Sequence, residues 1–235
     1  HLSSTMADEL RSRLVESDRE NRPLNVYCGF DPRTCDLHVG HTVPIRKLRA
    51  FQELGHKVTL LIGTYTSKIG DPSDQDVLRS ILPLDEAISN GKTYAAQAFG
   101  ILDRTKTRVV YNHEWLSVLS SDRIIELSSH FSLQQFLTRE TFRKRWDSGD
   151  AVFLHETFYS IMQAYDAYVL DADVQVGGSD QLFNIVTAAR KLMVALGKRP
   201  NVGIILDILP GTDGKVKMSK SLGNHIPIRS NPVDM

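Results

Sequence analysis

Cysteine is scarce in this chain. Cys28 and Cys35 are the only two among 235 residues, and they lack the partner cysteines and histidines that a zinc knuckle needs. Usage this low fits a reducing cytoplasm. Net charge is missing as well. The 28 Lys and Arg balance 28 Asp and Glu, so no global basic field announces a nucleic acid, and any RNA would be gripped by local patches. No apolar run approaches the ~20 residues that cross a bilayer. The N-terminus carries no secretory segment either, so the chain is expected to be neither exported nor embedded in a membrane. Repeats and low-complexity tracts are also absent. What is present suits a globular enzyme: 41% hydrophobic and 24% charged residues, in a length that fits one large domain or a domain with an insertion. Residues 1–5 precede Met6 and are left out of the fold argument.

Short apolar runs alternate with helical patterns, the mark of βαβ units and a parallel sheet. Strands are expected at residues 26–30, 57–62, 108–111, 174–177 and 203–206. Helices are expected at 37–54, closed by Gly55, and at 85–102, 155–170 and 181–196. Residues 114–149 look wholly helical and break the alternation, which reads as an insertion between two half-sheets. The expected architecture is α/β, a doubly wound parallel sheet with a helical insertion. Residues 1–23 form an N-terminal segment and 24–228 the domain itself. Residues 229–235 read as the start of a linker, because Pro227 and Pro232 stand in a stretch with no terminating element.

Two motifs carry chemistry. His38-Val-Gly-His41 lies where a strand and loop feed a helix, so two imidazoles three residues apart can project from its first turn. Gly40 leaves room for a nucleotide, and the helix N-terminus favours phosphate. Near the other end, Lys217-Met-Ser-Lys-Ser221 follows a glycine-rich turn. Two ammonium groups on a loop there suit the charge that grows on departing pyrophosphate.

Together the motifs resemble the paired signatures of class I aminoacyl-tRNA synthetases. Tyr27-Cys-Gly-Phe-Asp-Pro32, Ile69-Gly-Asp-Pro-Ser73, Tyr159-Ser-Ile-Met-Gln-Ala-Tyr-Asp166 and Gly177-Gly-Ser-Asp-Gln181 resemble elements of bacterial-type tyrosyl-tRNA synthetases, in family order. The resemblance implies a Rossmann-like catalytic domain that joins L-tyrosine to AMP and passes the tyrosyl group to tRNA(Tyr). It implies His38, His41, Lys217 and Lys220 as catalytic residues. Tyr27 and Asp166 would flank the tyrosine phenol, Asp71, Tyr159 and Gln163 would hold its ammonium group, and Gln181 would help enclose it. Gly29, Asp31, Gly40, Gly178, Asp180, Ser219 and Lys220 would bind ATP, with Gly177 also permitting close approach. Magnesium would arrive with the ATP as substrate and needs no carboxylate cage of its own. Arg33 stands where most relatives have threonine, which puts one contact to the phosphates in doubt.

Tyr159, Gln163 and Asp166 share one face of a helix by their spacing, and Tyr165, off that face, belongs in the core. Arg139, Arg143, Lys144 and Arg145 cluster on a helical segment of the insert, which relatives use to hold the tRNA acceptor stem. Relatives also pair through this region, so a homodimer is expected, with Ile124, Ile125, Leu127 and Phe131 as an apolar stripe. The resemblance implies a further anticodon-binding domain beyond residue 235. The rival readings are a tryptophanyl-type synthetase, a small-molecule nucleotidylyltransferase, and a synthetase-derived module that binds RNA or protein without charging.

Overall fold

The computed structural model describes residues 4–72, 82–220, 222–231 and 233; Ser73, Ser221 and Pro232 lie outside them. Five strands, Asn25–Phe30 (β1), Lys57–Ile62 (β2), Thr107–Tyr111 (β3), Val174–Gly178 (β4) and Val202–Leu206 (β5), pair in parallel in the order β3-β2-β1-β4-β5. This is the doubly wound sheet expected from the alternation of apolar runs. Each strand alternates its faces. Val26 and Cys28 of β1 and Leu60 and Ile62 of β2 enter one core cluster, whereas Tyr27 and Leu61 enter the other. A single residue of register therefore decides that Tyr27 faces the helices opposite to those that receive its neighbours.

The first cluster is capped by Ser4–Arg19 (α1), Val39–Glu53 (α2) and Leu84–Ala98 (α4). Thr66–Ile69 (α3) is a single turn after β2. Over the second cluster lie Leu154–Val169 (α9), Arg190–Ala195 (α10) and four short helices between β3 and α9: His113–Leu116 (α5), Ser121–Ser129 (α6), Leu133–Leu137 (α7) and Glu140–Ser148 (α8). In the stripe expected on the insert, Leu127 is fully buried and Phe131 packs against the core, so those two face inward, while Ile125 is exposed.

Two elements depart from the sequence reading. Helix α1 was not expected, although Met6, Leu10 and Leu14 recur at helical spacing and pack on the first core cluster; it also has an ionic anchor, with Arg13 buried and reaching Asp173 Oδ1 at 3.2 Å and the Pro200 carbonyl, while Arg22, just beyond the helix, reaches Asp173 Oδ2 at 3.1 Å. Periodicity of apolar residues does not register such an anchor. The expected helix at 181–196 is broken into a 3-10 turn at Ser179–Gln181, a π-helical stretch at Phe183–Ala189, and α10. Inside the widened stretch Asn184 is fully buried, and π turns of this kind gather at functional sites.

Candidate active site

The sheet reverses its winding between β1 and β4, and these strands pair only through Val26↔Val174 and Tyr27↔Gln175, whereas β1 pairs with β2 along its whole length. Beyond those two pairs the carboxyl ends part, leaving the crevice in which open α/β sheets bind ligands. A cleft of about 470 Å³ opens there. Every residue assigned from the sequence to tyrosine, to ATP or to catalysis lines it: Tyr27, Gly29, Asp31, His38, Gly40, His41, Asp71, Tyr159, Gln163, Asp166, Gly178, Asp180, Gln181, Lys217, Ser219 and Lys220.

At the deep end Tyr27 is 2% exposed and its hydroxyl has no hydrogen-bond partner among the described residues. An orphaned buried hydroxyl costs ~1–3 kcal/mol, so a polar group of a ligand would be favoured there. Burial, and after it the nearby Asp166, raises the Tyr27 phenol well above its usual range. The Asp166 carboxylate is held from behind: Trp115 Nε1 donates to Oδ1 at 2.8 Å and Asn112 Nδ2 to Oδ2 at 3.1 Å. Burial nonetheless pushes Asp166 up to about 8, the two hydrogen bonds pulling the other way. Asn112 and Trp115 were not singled out from the sequence. Asn112 follows directly on β3, and a polar residue at a strand's carboxyl end is the signal that could have found it.

Toward the middle, Gln163 Oε1 is buried without a partner among the described residues, and Gln181 Nε2 donates to Asp71 Oδ2 at 2.5 Å. The Asp31 carboxyl accepts from Thr66 Oγ1 at 2.7 Å, and burial pushes it up to about 7 against that bond. It lies so close over Gly63 that a Cβ there would stand 1.9 Å from Oδ1. Any side chain at residue 63 would expel the carboxyl.

At the mouth, the His38 and His41 rings stack with centroids 3.7 Å apart, and the His38 backbone N–H donates to His41 Nδ1 at 3.1 Å. That bond puts the proton of neutral His41 on Nε2. Burial, then neighbouring His225, Lys220 and Lys217, lowers His38 to about 4, and burial lowers His41 well below its usual range. Both are neutral imidazoles near pH 7, suited to donating hydrogen bonds. A Cβ on Gly40 would stand 2.9 Å from His38 Cε1, so glycine here also lets the two rings stack. The lysine loop is folded over the cleft, with Met218 buried. Lys217 Nζ meets Asp180 Oδ2 at 2.5 Å, and Lys220 Nζ donates to Thr34 Oγ1 at 2.7 Å and to the Asp36 carbonyl. Asn224 clamps the loop: its Oδ1 accepts from Ser219 N, and its Nδ2 donates to Asp213 Oδ2 and the Lys217 carbonyl. Arg33 donates to the Ser67 carbonyl at 3.0 Å and so braces the cleft wall.

A model of the class I tRNA synthetases (W and Y) matches residues 19–235. The chain belongs to this family. Within it, this class I synthetase chain is 45% identical to a tyrosine–tRNA ligase of Haemophilus influenzae over 230 residues, 97% of this chain and 57% of that protein. It is 45% identical to a tyrosine–tRNA ligase of Carboxydothermus hydrogenoformans over 228 residues, 97% of this chain and 55% of that one. The solved structure of tyrosyl-tRNA synthetase from Archaeoglobus fulgidus complexed with L-tyrosine matches with a TM-score of 0.75 at 25% identity, covering 96% of this chain and 66% of the other. The chain thus spans a little over half the length of the curated relatives it matches.

The basic cluster expected on the insert of this chain is corrected by its burial. Arg139 is 5% exposed and turned into the protein, and the Arg145 side chain is bound to Glu156 at 2.8 Å and to the Ala151 carbonyl. Only Arg143 and Lys144 of the four are exposed, and they pair with Asp147 at 2.9 Å and Glu140 at 2.6 Å. The cause lies in spacing: α7 ends just before Arg139, so the four residues do not share one helical face. Tyr165 packs on the second core cluster and stacks on Tyr168.

Proposed function

We propose that this chain activates L-tyrosine with ATP and transfers it to tRNA(Tyr). The observation that carries the reading is the deep end of the cleft, where a buried Tyr27 hydroxyl without a partner lies within reach of an Asp166 carboxyl fixed by Asn112 and Trp115. A phenol offers one donor and one acceptor, which matches that pair; an indole N–H could satisfy only an acceptor. In this reading a tyrosine carboxylate oxygen attacks the α-phosphorus of ATP, the bond to the β-phosphate oxygen breaks, and pyrophosphate leaves with the electron pair. A terminal ribose hydroxyl of the tRNA then attacks the adenylate carbonyl and releases AMP. His38 and His41 donate hydrogen bonds toward the α-phosphate, and Lys217 and Lys220 neutralise the departing phosphates, so catalysis rests on alignment and electrostatics. Mg2+ arrives bound to ATP.

The same reading extends to partners. The tRNA acceptor stem would meet the exposed Arg143 and Lys144, a smaller patch than four cations. A homodimer through the insert is supported by the exposed Ile125 and Val118, and the cytoplasm is the proposed compartment. A single turnover with tyrosine and labelled ATP tests the chemistry. Recovery of tyrosyl-AMP is the expected result; tyrosine binding without any adenylate would make the chain a binding module instead.

A further inference from the structure

Arg139 is the least exposed arginine of the insert, and no part of the reaction described above uses it. Its side chain is 4% exposed and passes between the rings of Phe142 and Phe183, at 5.2 and 5.4 Å. Nη1 donates to Ser160 Oγ at 2.9 Å and to Asn184 Oδ1 at 3.3 Å, and Nη2 lies 3.6 Å from Asp71 Oδ1. Asn184 in turn donates to Gln181 Oε1 at 2.8 Å, and Gln181 donates to Asp71 Oδ2 at 2.5 Å. The contacts close a ring: Arg139, Asp71, Gln181, Asn184 and back to Arg139.

We propose that Arg139 is a positioning residue for amino-acid recognition, fixing the Asp71 carboxylate at the wall of the cleft by binding one of its oxygens and, through Asn184 and Gln181, the other. The inference rests on the reading of Asp71 as an ammonium receptor and adds how that carboxylate is oriented. The chemistry requires a planar fork. A guanidinium presents donors in fixed directions and stacks on aromatic rings, so it spans Ser160, Asn184 and Asp71 at once, whereas a lysine ammonium is a single point on a flexible stem. Partial burial makes the ring consequential, because a carboxylate at a cleft wall that loses one of its partners turns toward whatever donor remains. The helical insert thereby supports the amino-acid pocket from behind, since Arg139 stands at the junction of α7 and α8 and meets Asp71, which follows α3 and lines the cleft.

The test compares the parent with Arg139→Lys and Arg139→Gln, each also combined with Asp71→Asn, and measures binding of L-tyrosine and of its analogue lacking the amino group, 3-(4-hydroxyphenyl)propionate. Arg139→Gln should weaken tyrosine about tenfold, as expected for the loss of one charge-assisted contact, and leave the des-amino analogue within about twofold. Arg139→Lys should fall between, and neither change should matter once Asp71 is asparagine. Equal weakening of both ligands, or an undiminished effect in the Asp71→Asn background, would overturn the proposal by making Arg139 merely structural. Should Arg139→Gln not fold, the Arg139→Lys pair decides by the same two criteria. Failure of the parent to bind tyrosine at all would instead strike the functional reading on which the inference rests.

Discussion

On the proposed reading, substrate choice turns on Asp166. It brings a buried acceptor to the same end of the cleft as the unpartnered Tyr27 hydroxyl, so a ligand with a phenol gains what phenylalanine cannot offer. Asp166→Asn and Tyr27→Phe are each expected to narrow the preference for tyrosine over phenylalanine by about tenfold or more, the scale of one hydrogen bond to a charged or buried partner. Pyrophosphate exchange with both amino acids measures it, and unchanged preference in both variants would refute the pocket. Burial also gives a pH signature. Asp31 and Asp166 keep protons in the fold up to about 7 and about 8, whereas an unfolded chain releases them near pH ~4. Folding therefore takes up protons in that window, so Asp31 lowers stability as pH rises from about 4 to about 7 and Asp166 as it rises from about 4 to about 8. Denaturant midpoints between pH 5 and 8 should fall less steeply in Asp166→Asn than in the parent; parallel slopes would show that Asp166 is ionised throughout. The residues behind Asp166 were less legible in the sequence than Asp166 itself. Helical spacing puts Tyr159, Gln163 and Asp166 on one face, but nothing local to Asn112 or Trp115 says that they close on a helix more than fifty residues away.

Among the elements, the lysine loop is organised by one amide. Asn224 reaches Asp213, Ser219 and Lys217 at once, and so sets where Lys217 and Lys220 stand over the cleft. Asn224→Ala, like Lys220→Ala, should slow adenylate formation at least about tenfold while changing tyrosine affinity little, because the lysine charges are wanted mainly when phosphate charge develops. Rapid-quench rates beside equilibrium binding separate the two quantities, and equal loss in both would count against the loop mechanism. Strands were read closely from their apolar runs: β2 spans residues 57–62 as expected, and the others differ by a residue or so at an end. Elements held by polar or ionic contacts were not. Helix α1 packs Met6, Leu10 and Leu14 on the core but also has the Arg13–Asp173 anchor, which apolar spacing does not show, and the π turn at Phe183–Ala189 has a sequence that an ordinary helix would also accept. Arg139 shows the same limit from the other side, since a cationic side chain read from sequence as part of an acceptor-stem patch is enclosed by Phe142, Phe183 and Asp71.

The whole molecule joins a sheet that opens at its switch point to an insert that supplies partners behind the cleft wall, Trp115 and Arg139, and exposed apolar surface. With Ile125 and Val118 exposed and Leu127 turned inward, self-association is expected to use the former two. Sedimentation at micromolar concentration should give a dimer that Ile125→Lys weakens, and a monomeric parent would contradict this. The family is shown by the match along residues 19–235, yet that family spans tryptophan and tyrosine, so the amino acid is the central claim. Pyrophosphate exchange into ATP with each of the twenty amino acids tests it most directly. The account predicts exchange with tyrosine and no comparable signal with the other nineteen; exchange driven by tryptophan, or none with any amino acid, would contradict it.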